Sequence, residues 1–439
     1  MAKYTPVIGM EIHVELKTAS KMFCGCKNDP FFAEKPNIYT CPVCLGMPGG
    51  LPAANKRAVE WTIKLGLALG CSIAQFSKFD RKHYFYPDLS KGYQISQYDQ
   101  PLCEHGLVKT EYGDVRIQRV HLEEDTGKLQ HTTIGGKKVS LIDFNRCGVP
   151  LVEIVTEPDI HSPQQAKVYA KKIQELVRTL NISLADMEKG SMRLEANISL
   201  TTNTDTLPPY KVEAKNINSF RFLEQAILFE VERQEAILEK GETPRQETRG
   251  WSETKHATVS QRSKEEAEDY RYFPDPDLPP MVFSADEIRR LHDELPELPD
   301  TQFARFISLG VKEDYARILS AADHNTAIID AAFSLSKTMG FTPQIVASYI
   351  INQKVDTKSS SAENIILQIQ ERKSVDVVSN NELKKVIETV LLEQQRAVQD
   401  YRAGKTQVLG FILGMVMRKL GKKIDPASVS AMISTLIGT

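Results

Sequence analysis

No run of about 18 consecutive apolar residues occurs in the 439-residue chain, which argues against a membrane-spanning helix. The opening MAKYTPVIGM lacks a charged stretch followed by an apolar one, so it does not read as a signal peptide. It is not Arg- and Ser-rich as a transit peptide is, and the expected compartment is the cytoplasm. An excess of one charge is also missing. With 55 Lys and Arg against 57 Asp and Glu, the net charge is -2, so contact with nucleic acid has to come from local basic patches. There is no GxxxxGK[ST] phosphate loop, no GxSxG nucleophile elbow, no internal repeat and no low-complexity tract.

Cysteine is sparse, with seven residues, and four of them crowd into 24 to 44. A secreted disulfide framework would spread them more evenly. Cys24-x-Cys26, a loop, then Cys41-x2-Cys44 offers two thiolate pairs to one tetrahedral ion, the pattern of a structural Zn²⁺ site with no open position for water. The competing reading is four small buried residues. Cys71, Cys103 and Cys147 lack metal spacing and read as packing residues.

The length exceeds one ordinary core, and 41% apolar with 26% charged residues is the make-up of a globular protein. The first 295 or so residues alternate as strands at 7–16, 115–125, 139–155, 191–200 and 210–220. Helical periodicity is expected at 55–70, at 162–180 with Ser162 as N-cap, and at 219–241 closed by Gly241. After ELPELPD (294–300) nearly everything reads as helix. A linker is expected at 355–364, followed by two or three helices that include 381–405 and 407–423.

In VIGMEIHVEL the even positions are apolar, while Glu11, His13 and Glu15 share the other face. Arg193, Glu195 and Asn197 share a face of SMRLEANISL, and Glu213 and Lys215 share one of YKVEAKNINSF. In VHLEED, His121, Glu123 and Asp125 fall on one side and Glu124 on the other. Polar strand faces ordinarily meet water. Carboxylates gathered in a cavity instead repel one another unless a cation sits among them, and Mg²⁺, shared with substrate phosphates, suits such a set. His13 is a less typical Mg²⁺ ligand and could contact substrate instead. Basic and aromatic residues interleave at 78–101, a mixture that suits phosphates and bases or a Tyr-rich loop packed on the sheet.

The long motifs VIGMEIHVEL, KFDRKHYFYPDLSKGYQISQYDQPL, HLEEDTGK, FNRCGVPLVEIVTEPD, GSMRLEANISL, KNINSF and DYRYFPDPDLPP, in this order, resemble the B subunit of the tRNA-dependent amidotransferases. The resemblance implies an α+β fold: a cradle-like N-terminal domain on a twisted antiparallel sheet (1–295), a helical domain (296–356) and a small, shortened, tRNA-binding all-α tail (357–439). It implies that ATP phosphorylates the side-chain carboxylate of Glu-tRNA(Gln) or Asp-tRNA(Asn), and that ammonia then displaces the phosphate.

By the same resemblance, Glu11, His13 and Glu124 match a Mg²⁺ set with Glu123 beside it. Glu195 stands where some members carry Asp, and Glu213 with Lys215 faces the same cavity. Arg81, Lys82, Tyr84 and Lys91 border the ATP and the tRNA acceptor end. Cys24, Cys26, Cys41 and Cys44 match a zinc site that some members carry. Ammonia would come from a separate amidase, the A subunit, with a small third chain, the C subunit, tying the complex together. The connection around 350–375 departs from the family pattern, and the basic RKLGKK (418–423) remains for phosphate contact. Glu15 is left with no role and is expected to face solvent. The rival readings are a non-catalytic tRNA-binding and assembly protein, and a free-standing ligase using dissolved ammonia.

Overall fold

The computed structural model describes residues 3–203, 206–263, 269–373, 378–422 and 424–438. The chain falls into two compact units: Met1–Ala304 with Ser320–Ala322, and Arg305–Leu319 with Asp323–Thr439. Among the described residues, mixed strands and helices in the first unit and helices alone in the second make the protein α+β.

The first unit is built on a nine-stranded sheet. Across it run Ala257–Ser263, Glu247–Ser252, Val212–Ile217, Met192–Thr201, Thr5–Glu15, Pro150–Thr156, Gly113–Glu124, Cys103–Thr110 and Ser72–Ile73. Every neighbouring pair is antiparallel except Val212–Ile217 with Glu247–Ser252, which is parallel. The opening strand therefore lies mid-sheet. Its even residues Ile8, Met10, Ile12 and Val14, followed by Leu16, are almost fully buried. Each such side chain contributes roughly 1.5–3 kcal/mol.

Three helices supply the matching apolar layer of that core, with Ala58, Ile63 and Leu65 from Lys56–Ala68, Tyr169, Ile173 and Val177 from Pro163–Thr179, and Leu223 and Ile227 from Phe220–Leu238. Asn55, Ser162 and Ser219 cap their N-termini through side-chain oxygens, satisfying amides that would otherwise lack partners. Helices thus cover one face of the sheet, and the odd residues of the opening strand look out from the other.

The stretch 139–155 is not one strand. Lys137–Asp143 pairs with Lys128–Ile134 in a separate hairpin, and only Pro150–Thr156 enters the main sheet. Asp80–His83 sits between Tyr93–Ser96 and Phe273–Pro274 in a three-stranded sheet, so the proline-rich 273–280 segment is partly paired.

In the second unit, Leu383, Ile387, Val390, Ile412, Val416, Val429 and Ile433 form one apolar core. Among the described residues five helices follow residue 360, more than the two or three expected. The periodic run 381–405 breaks at Gln394 into Asn380–Glu393 and Gln395–Arg402, and the expected linker ends early because Ala362–Lys373 is helical. Of the basic 418–423 segment, Lys423 lies outside the described residues. No described helix is long and apolar enough to cross a membrane.

Candidate active site

Strand register fixes the site. His13 stands opposite Glu153 on one side and Arg193 on the other, while Glu153 in turn faces His121. One step along, Glu11 stands beside Glu195. These residues share a face because side chains alternate with period two. They line a cavity of about 1260 Å³ together with Glu123, Asp125, Glu213, Lys82, Lys215 and Tyr84.

Two acidic groups form within it. His13, Glu123 and Glu153 offer ligand atoms within 4.8 Å of one another, as do Glu11, Glu195 and Glu213. In the first, His13 Nε2 lies 3.4 Å from Glu153 and 3.8 Å from Glu123, and His121 Nε2 lies 3.2 Å from Glu153. In the second, Lys215 Nζ sits 2.9 Å from Glu195 and 3.4 Å from Glu213, while Asn197 donates to Glu11 at 2.8 Å and Thr248 to Glu213 at 2.7 Å.

The charges respond to this crowding. Burial opposes the His13 imidazolium most, but Glu153, with Glu195 and Glu123, more than offsets it and lifts the pKa to about 9. Burial raises the Glu11 carboxyl, and the neighbouring carboxylates of Glu153, Glu195 and Glu213 raise it further. For Glu153 the burial penalty is overcome by His121 and His13, which hold it well below the usual carboxylate range. The surplus of oxygen donors can hold a divalent cation and the phosphates it would bridge.

The predicted residues do not all converge. Glu124 points away from Glu11 and His13: its carboxylate lies 2.5 Å from Lys91 Nζ and accepts the Ile95 amide at 3.1 Å. That pair lines a separate small cavity beside Cys24 and Cys44. Arg81 is held by Asp275 at 2.8 Å and Asp277 at 3.0 Å and lies over Tyr93. Adjacent strand residues face opposite ways, which is why Lys82 reaches the large cavity and Arg81 does not. Glu153 was missed by sequence reasoning. A lone Glu inside the apolar run PLVEIVT was the available signal.

Glu15 corrects the solvent expectation. It is only 5% exposed and lies against Asp125. Burial and Asp125 push its carboxyl well above the usual range, whereas Asp125 is held ionised against burial by Arg193 and Arg146, at 2.5 and 3.7 Å.

The four clustered cysteines present their sulfurs within 4.8 Å of one another. A tight turn, closed by Leu45 N donating to Cys41 O at 3.0 Å and Gly46 at positive φ, brings Cys41 and Cys44 together. Cys44 is drawn down to about 5, first by the Cys24 thiol and further by Lys21, whose buried Nζ lies 3.9 Å from its sulfur. Such a set can bind a metal ion. Cys71 and Cys103 are buried in the main core, and burial pushes the Cys71 thiol up to about 12.

A family model described as the GatB/GatE catalytic domain matches residues 6–289, and one described as the GatB domain matches residues 344–437. Among curated proteins, the chain is 43% identical to the B subunit of the aspartyl/glutamyl-tRNA(Asn/Gln) amidotransferase of Thermomicrobium roseum, with 97% of each chain covered. It is 42% identical to the protein of that name from Dehalococcoides mccartyi, again with 97% of each covered. The Thermotoga maritima protein of that name is 40% identical, with 99% of each covered.

Proposed function

The chain belongs to the GatB/GatE family, alongside the B subunits of the aspartyl/glutamyl-tRNA(Asn/Gln) amidotransferases, and we propose that its polar sheet face is where the side-chain carboxylate of a misacylated tRNA is activated and amidated. A carboxylate is a poor acyl donor. ATP phosphorylates it, and ammonia then displaces the phosphate to leave the amide. One observation carries this reading: carboxylates from separate strands, Glu11, Glu123, Glu153, Glu195 and Glu213, converge on one cavity with Lys82 and Lys215.

The donor set fits Mg²⁺, since hard oxygens predominate and the Glu11 carboxyl is raised by three neighbouring carboxylates that a cation would neutralise. Glu11, Glu195 and Glu213, with Glu123 and Glu153 across the face, are the residues to hold it. When bound, the ion supplies charge neutralisation for phosphoryl transfer. Glu124 is not one of these residues, because Lys91 holds it on the other side. Lys82, kept protonated by Glu123 against the cost of burial, is placed to attract phosphate oxygens. Lys215 sits between Glu195 and Glu213 and tempers their repulsion. Glu153, itself paired with His121, fixes the His13 ring. Tyr84 and Tyr272 wall the cavity and help exclude water, which protects an acyl phosphate.

Ammonia comes from a separate amidase chain, the A subunit, joined through the small C subunit, and the complex works in the cytoplasm. The thiolate site takes structural Zn²⁺. A purely tRNA-binding protein would have no use for this many converging carboxylates. The test is ATP hydrolysis dependent on Glu-tRNA or Asp-tRNA in the reconstituted complex. Loss of turnover in Glu11→Ala with tRNA binding retained is expected, and full activity in that variant would overturn the assignment.

A further inference from the structure

The helix Phe220–Leu238 covers the sheet with Leu223, Ala226 and Ile227, yet the same buried face continues with Glu230 and Gln234, neither of which is exposed. A carboxylate there is costly unless it is paired and fully hydrogen-bonded. Both of its oxygens are engaged. Oε2 accepts from Arg233 at 2.8 Å and from Gln234 at 3.0 Å, within its own helix. Oε1 reaches across to the sheet, where Arg249 Nε lies 3.0 Å away and the Thr258 hydroxyl donates to it. Arg249 in turn donates to Glu247 at 2.7 Å and to the Thr258 carbonyl at 2.8 Å. One buried carboxylate thus fastens the two strands at that end of the sheet, Glu247–Ser252 and Ala257–Ser263, to the helix.

Alternation turns the neighbours of those anchors to the opposite face. Gln246 and Thr248 line the large cavity. Thr248 stands in register with Glu213 and donates its hydroxyl to that carboxylate at 2.7 Å, while Lys215 holds the other oxygen at 3.4 Å. Glu213 forms the three-carboxylate group with Glu11 and Glu195.

Backbone pairing alone leaves Thr248 loosely set. Its strand meets Val212–Ile217 in parallel, a pairing slightly weaker per residue than the antiparallel kind. On the other flank the register slips at this point. Thr248 stands opposite Arg262 and Arg249 opposite Ser260, which leaves Gln261 as an extra residue. Such bulges re-aim side chains beside functional sites. The residues before and after Thr248, Glu247 and Arg249, are the ones held from the helix by Arg233 and Glu230.

We propose that Glu230 is a positioning residue for the cation site: through Arg249 and Thr258 it sets the strand that carries Thr248, and the Thr248 hydroxyl holds Glu213 in the orientation that closes the Glu11, Glu195 and Glu213 group on a divalent ion. The proposal rests on the Mg²⁺ reading above. Glu230 lies on the helix side of the sheet and acts only through other residues. The competing role for a buried, fully paired carboxylate is to stabilise the fold alone, and affinity for the ion separates the two.

Mn²⁺, which favours carboxylate over thiolate ligands, is the probe, titrated into the complex reconstituted with the partner chains. Thr248→Val removes the hydroxyl and should weaken Mn²⁺ by about 10- to 100-fold, the usual cost of losing a partner of a ligating group. Thr248→Ser, which restores the hydroxyl, should bind within about threefold of wild type. Glu230→Gln should weaken Mn²⁺ by about tenfold or more, and combining it with Thr248→Val should cost no more than Thr248→Val alone, because the first acts through the second. A Glu230→Gln protein that melts earlier yet binds Mn²⁺ as tightly as wild type would overturn the proposal, and so would losses that multiply in the double variant. Should Glu230→Gln fail to fold, Arg249→Lys keeps the charge but not the fork that spans Glu230, Glu247 and Thr258, and unchanged Mn²⁺ affinity there counts against the proposal. If Glu11→Gln, which alters a ligand directly, leaves Mn²⁺ affinity unaltered, the cation reading falls and the proposal with it. A loss in Glu11→Gln with none in Thr248→Val overturns the positioning role alone.

Discussion

The Glu153 carboxylate stands 3.4 Å from the His13 imidazole, directly across a strand pair whose register sets the two residues side by side. The arrangement ties a buried anion to a cation-forming ring at the cavity wall. The same carboxylate also reaches His121, so one residue orients two imidazoles.

Replacing Glu153 with Gln should lower tRNA-dependent ATP hydrolysis by about 10- to 100-fold, the usual cost of losing a partner that orients a site group. The His13 pKa should fall from about 9, since Glu153 is the main influence raising it. Imidazole titration by NMR reads this directly, and an unmoved His13 titration would contradict the assignment.

Lys91 and Glu124 form a buried ion pair on the other side of the Gly113–Glu124 strand from the carboxylate cluster. Glu124→Ala should destabilise the first unit by about 3–5 kcal/mol, because it strands a buried ammonium. Lys91→Met combined with Glu124→Leu should recover most of that loss in denaturant titrations. If the single variant unfolds at the wild-type midpoint, the pair has no structural weight.

For Glu15 the sign follows from burial. Its folded pKa lies above the unfolded value, so the native state holds a proton that the unfolded chain releases, and stability falls as pH rises from about 4.3 towards the raised folded value. Asp125 has the opposite sign: its stabilisation is present above about pH 3.9 and fades only as pH falls through its lowered value. Glu15→Gln keeps a donor towards Asp125 without a titrating group. It should match wild type at pH 4 and exceed it by on the order of 1 kcal/mol at pH 8 in melting experiments. A constant difference across that range would argue against a proton shared between the two carboxyls.

Removing metal from the cysteine cluster should loosen the first unit more than the chemistry. Purified protein should carry about one zinc per chain, and Cys41→Ser should lower both the metal content and the melting temperature. The tRNA-dependent ATPase rate per folded molecule should stay near wild type. Metal-free protein with unaltered melting would remove the structural role.

Alternation made half of the site legible in the sequence. Glu11 and His13 on one strand, and His121 with Glu123 on another, occupy the predicted face. The same parity put Glu124 on the reverse side, and the structure places it there with Lys91. The motif match that joined Glu124 to Glu11 and His13 ran against that parity. Glu153 was hidden because 139–155 read as one strand, which masked the turn that delivers Pro150–Thr156 to the middle of the sheet. Glu15 was misjudged because strand parity says which face a residue takes and not what covers it. The break at Gln394 is marked in the sequence only by the polar run EQQR (393–396), after which apolar residues resume at helical spacing with Ala397 and Val398.

The position of the opening strand also sets a timetable for synthesis. Thr5–Glu15 has its two neighbours at Pro150–Thr156 and Met192–Thr201, so it cannot be flanked on both sides until residue 201 has left the ribosome. At translation rates of about 5–20 residues per second, that wait is roughly 10–40 s. Throughout it, Ile8, Met10, Ile12 and Val14 form an unpaired apolar edge of the kind that seeds aggregation.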